Sequence, residues 1–92
     1  MSDIVVKRTH KLTNQEIHRK ANGLLVEHQK HIVSSIWFSP ELLVVKGNSF
    51  EGAIVVTATK ITIDITLTTA MARMFKKVVK DRAELEIDKI LA

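Results

Sequence analysis

From Lys60 to Thr68 the chain reads KITIDITLT, apolar and polar residues alternating without a break. A period of two places Ile61, Ile63, Ile65 and Leu67 on one face of a strand and Thr62, Asp64, Thr66 and Thr68 on the other. The apolar row predicts a face against a core, where each fully buried side chain contributes roughly 1.5–3 kcal/mol. The threonine row predicts a face that meets water.

The rest of the chain divides by period. Ile4 to Thr9 is short and β-branched and reads as a first strand. Thr13-Asn14-Gln15-Glu16 has the form of a capping box, with Thr13 accepting from the first free amides and Glu16 reaching back to the Thr13 backbone. A helix to about His31 follows, its inward stripe Ile17, Ala21, Leu24, Leu25 and His28. Gly23 weakens that helix by about 1 kcal/mol relative to alanine, which suggests a close approach at this point. Ser35–Phe38, Leu42–Val45 and Phe50–Thr57 read as three further strands, with turns at Pro40 and Gly47-Asn48 and a bulge at Gly52. Connections this short require antiparallel neighbours. Thr69 to Leu91 contains neither Gly nor Pro. There Met71, Met74, Phe75, Val78, Val79, Ala83, Ile87 and Ile90 recur at helical spacing, behind Thr69 as N-cap.

The order β-α-β-β-β-β-α predicts one α+β domain over residues 1–92. It is a two-layer sandwich, with a mostly antiparallel five-stranded sheet carrying two helices on one face. The middle strands lack the discipline of the last one: Leu42-Leu43-Val44-Val45 and Ala53-Ile54-Val55-Val56 are apolar on both sides. With Ile36, Phe38, Ile54 and Val56 turned to the helices, Trp37, Ala53 and Val55 face outward. Such a patch is unusual for a monomer. It predicts a homodimer or larger oligomer joined through the non-helical face around Trp37. Two alternatives are a monomer whose patch lies under the Lys46 and Lys60 stems and a curled sheet forming a groove for an apolar ligand.

Composition narrows the class without naming a reaction. The chain has 92 residues, 46% hydrophobic and 26% charged, with no cysteine and therefore no disulfide or thiolate chemistry. Its longest apolar runs are far short of a membrane span, and its first residues lack a signal pattern. A cytoplasmic, bacterial-type domain is the expectation. The net charge is +4, the excess lying in the two segments read as helices. Arg73, Lys76, Lys77 and Lys80 load the first half of the last helix, and Asp81, Glu84, Glu86 and Asp88 the second, against the helix dipole. That strip is read as solvated, with pairs such as Lys77–Asp81 and Lys80–Glu84, or as a basic surface for an anionic partner. Nucleic-acid binding is not the expectation.

Candidate chemistry is sparse. His28 and His31 are spaced for one helical face but lack an evident carboxylate to complete a metal site. His10 is placed to bond the backbone rather than to act as a base. Asp64 has no partner carboxylate in view. No phosphate loop, nucleophile elbow or zinc spacing occurs. The expectation is a protein that is not an enzyme and takes no cofactor.

One resemblance spans nearly the whole chain. It is carried by His10-Lys11-Leu12 after the first strand, Trp37, Gly47, Phe50-Glu51-Gly52-Ala53-Ile54, the alternating strand to Leu67 and the ending Leu85-Glu86-Ile87-Asp88-Lys89-Ile90-Leu91. In order and spacing these resemble the Putative polyhydroxyalkanoic acid system protein family, small proteins encoded near polyester-granule genes. The resemblance implies no catalytic residue. It implies a context, storage granules of a hydrophobic polyester or their regulation. Joined to the open apolar face and the basic helical face, the expectation is an accessory protein acting by self-association and binding to a granule surface or a granule protein. The competing expectation is a small carrier of an apolar, acyl-type ligand in a groove between the sheet and the C-terminal helix.

Overall fold

The computed structural model describes residues 2–92. The elements are β1 (Ile4–Thr9), α1 (Asn14–Glu27), β2 (Ile32–Ser39), β3 (Leu42–Gly47), β4 (Phe50–Val56), β5 (Lys60–Leu67), α2 (Ala70–Met74) and α3 (Lys76–Leu91). The five strands form one antiparallel sheet in the order β1-β5-β4-β3-β2. The last four strands are a meander. Only α1 makes a long connection, carrying the chain from one sheet edge to the other.

Cross-strand register separates the faces. One row runs Trp37, Leu43, Ile54, Ile63, Val6, and the next Val45, Gly52, Ile65, Ile4. This face packs against Ile17 and Ala21 of α1 and Ala83, Ile87 and Ile90 of α3 in a single core. The fold is thus an α+β sandwich with its helical layer on one side of the sheet.

Local chemistry explains the boundaries. The Thr13 hydroxyl accepts from the Glu16 amide at 3.2 Å and caps α1. The Glu16 carboxylate meets the Thr13 hydroxyl rather than its backbone amide. The Thr69 hydroxyl caps α2 in the same way, accepting from Ala72 N at 3.0 Å. The Phe50 ring occupies the space where a Cβ at Gly47 would stand, so a larger residue there would have to displace it. His10 is buried at the end of β1. Its Nε2 lies 2.8 Å from the Thr57 carbonyl and its Nδ1 accepts from Leu12 N at 3.1 Å, so it donates from the first and accepts at the second.

Several expectations are corrected. α1 ends at Glu27, and residues 28–31 turn into a longer β2 than expected. Gly23 faces open space, so no close approach accounts for it. Gly52 sits in unbroken register with both neighbours. The bulges lie in β2 instead, between Ile32 and Ser34 and between Trp37 and Ser39. The C-terminal segment breaks at Phe75, whose φ and ψ of −104° and 23° leave the helical region. Only Ala83, Ile87 and Ile90 of α3 are buried, while Met71, Met74, Phe75 and Val78 are exposed.

Candidate functional site

Three surfaces remain after the core is accounted for. The first is the open face of the sheet. Its rows run Ile36, Val44, Ala53, Asp64, Val5 and Leu42, Val55, Thr62, Lys7. Ala53 and Val55 therefore lie where the alternation placed them. Trp37 does not. It is opposite Leu43 on the helical side, half-buried, with Nε1 donating to Asn22 Oδ1 at 2.9 Å and its ring stacked on His18 at 3.5 Å. Ile36 takes its place on the open face and is 55% exposed. The physical reason is polar. The indole N–H needs an acceptor when covered, and α1 supplies one.

The second surface is a ridge on α2 and the start of α3. Met71, Met74, Phe75 and Val78 recur at helical spacing and are 71%, 82%, 55% and 64% exposed. Arg73, Lys76, Lys77 and Lys80 stand among them, and none has an ion-pair partner among the described residues. No acid occurs between Ala70 and Lys80. The expected pairs Lys77–Asp81 and Lys80–Glu84 do not form. Glu84 and Asp88 instead hold Arg8 of β1, at 3.9 and 3.3 Å. A cue was present in the sequence: large apolar residues are interleaved there with cations and free of acids.

The third is a cavity of ≈ 680 Å³ where α1 and α3 splay above the sheet. Leu25, Ile54, Ile65 and Val79 contribute to its apolar wall, and His28, His31, Arg82 and Glu86 bring polar groups to it. The Glu86 carboxylate is 2.9 Å from Arg82 Nε, 3.4 Å from His28 Nε2 and 3.6 Å from Lys89 Nζ. Both of its oxygens and His28 Nε2 are buried without a hydrogen-bond partner. The contacts are thus charge attractions off hydrogen-bonding geometry.

Folding also brings Glu27 and Glu86 beside His28, with potential ligand atoms within 4.8 Å of one another. The carboxylates that the sequence did not supply are thus present, and His31 is not part of the group. Arg82 and Lys89 lie against the same carboxylates. Two fixed cations there oppose a divalent ion, and the group reads as an ion-pair network. Asp64 accepts from the Ser2 hydroxyl at 3.0 Å. No helix among the described residues is long and apolar enough to cross a membrane.

The chain matches the family described as Putative polyhydroxyalkanoic acid system protein over residues 4–91, and it belongs to that family. Neither the curated proteins nor the solved structures contain a match to it.

Proposed function

We propose that this chain is a non-enzymatic accessory protein of polyhydroxyalkanoate storage granules, docking on the granule surface through the α2–α3 ridge. The ridge is the observation that carries the reading. Four large apolar side chains stand exposed among four cations that have no ion-pair partner among the described residues. Such a surface gains by lying where water meets an apolar phase, the side chains inserting and the cations staying wet. Each inserted side chain contributes roughly 1.5–3 kcal/mol. Self-association through the open face around Ile36, Ala53 and Val55 would multiply these contacts. The non-enzymatic reading is supported by His10 and Asp64, the two groups on which an enzyme reading would draw, both of which are engaged in structural bonds.

Co-sedimentation tests the docking. Purified protein is spun with polyhydroxyalkanoate particles and, separately, with anionic phospholipid vesicles. The wild type is expected in the polyester pellet. The variant carrying Met71→Gln, Met74→Gln and Phe75→Ser is expected in the supernatant with its melting temperature unchanged. Binding of a folded triple variant, or binding to vesicles but not to polyester, overturns the reading.

A second reading, a carrier of an apolar ligand, is supported by the cavity between α1, α3 and the sheet. Ligand-dependent shifts in melting temperature distinguish it from surface docking, which does not need the cavity.

A further inference from the structure

The cavity has an apolar body, and its polar groups are drawn together. At ≈ 680 Å³ it is within the range of small-molecule sites, about 300–1,000 Å³. Its body is formed by aliphatic side chains of both helices and of the sheet floor, including Leu25, Ile54 and Val79. An occupant must therefore be aliphatic over most of its surface, because a polar one would lose water without recovering hydrogen bonds.

The head group follows from which charges an occupant can reach. Glu86 lines the cavity, but both its oxygens are buried and already face Arg82, His28 and Lys89. Its charge is already offset by Arg82 and Lys89. Arg82 is different. Its side chain is 55% exposed, and its Nε lies 2.9 Å from Glu86 Oε1. A guanidinium has five N–H donors, so its outer pair is left to take a carboxylate in a two-bond fork. His31 is exposed on the same cavity wall and adds a further donor. From these we infer that the cavity binds a single-chain fatty acid, its alkyl chain between the helices and the sheet and its carboxylate on Arg82.

This inference rests on the carrier reading and narrows it to one ligand class. The floor also offers a clean obstruction. Gly52 lines the cavity, and a Cβ added there makes only ordinary contacts, 3.5 Å to the Asp64 carbonyl and 3.9 Å to Ile65. Valine suits a strand better than glycine. Gly52→Val should therefore raise the melting temperature of the ligand-free protein while filling the ligand's space.

The test is titration below micelle concentration with dodecanoate, dodecanol and dodecyltrimethylammonium. Binding is followed by calorimetry and by melting temperature. Dodecanoate is expected to bind once per chain, at least about ten-fold more tightly than dodecanol, from a charge-assisted bond. The cationic amphiphile is expected to bind weakest. Arg82→Gln should bring dodecanoate down to the level of dodecanol, and Gly52→Val should weaken both. Equal binding of dodecanoate and dodecanol, unaffected by Arg82→Gln, overturns the head-group assignment and leaves the carrier reading standing. Absence of binding by all three amphiphiles, or binding undiminished in a folded Gly52→Val protein, overturns both.

Discussion

Trp37 donates its indole N–H to the Asn22 side chain across 2.9 Å, joining strand β2 to helix α1. The bond favours the pleat that turns Trp37 of this edge strand toward the helices. In β2 a slip of one residue would exchange Trp37 for Ile36. The indole needs an acceptor, the isoleucine does not, and α1 places one above the strand.

Removing that acceptor should loosen the edge of the sheet. Asn22→Ala is expected to cost about 1 kcal/mol, the value of one net hydrogen bond, and to shift Trp37 emission toward that of exposed indole. Urea denaturation and fluorescence measure the two effects. Unchanged emission would mean that the stack on His18 holds the ring unaided.

His10 fastens three chain segments: the end of β1, the Thr57 carbonyl and the Leu12 amide leading into α1. His10→Ala loses both bonds inside a buried setting. A loss of about 2 kcal/mol is expected, from the cost of unsatisfied buried groups. Urea unfolding checks it, and a change under 0.5 kcal/mol contradicts it.

The C-terminal helices should divide sharply at Phe75. Ile87→Ala, in the core, is expected to cost about 2–5 kcal/mol. Val78→Ala, on the exposed ridge, is expected to stay within about 0.5 kcal/mol. Similar losses at the two sites would place the ridge under cover.

Self-association, where it occurs, should depend on Ile36 rather than Trp37. Ile36→Lys puts a charge opposite Val44 on the open face and should leave the monomer's stability within about 0.5 kcal/mol. Sedimentation velocity on wild type and variant reads the outcome. An oligomer that survives the lysine would exclude this face as its interface.

Much of the fold was legible because local rules governed it. The alternation of residues 60–68, the caps Thr13 and Thr69 and the hairpin glycine Gly47 each act within a few residues, and each is found in place. The site was less legible. Helical spacing predicts that Met71, Met74, Phe75 and Val78 share a side, and it is silent on whether anything covers that side. Likewise, the spacing of His28 and His31 carries no news of Glu86 on a helix far along the chain.

By itself, then, the chain determined the order of its elements, the antiparallel pairing of its last four strands and an α+β sandwich, because periodicity and capping are short-range physics, while the order and spacing of its motifs carried the polyhydroxyalkanoic acid system family. The tertiary structure alone decided that Trp37 turns inward, that the last helix breaks at Phe75 and that α1 and α3 part to leave a cavity. Those outcomes depend on which distant groups meet. Satisfying a covered indole N–H and filling the space above a sheet are matters for the whole molecule.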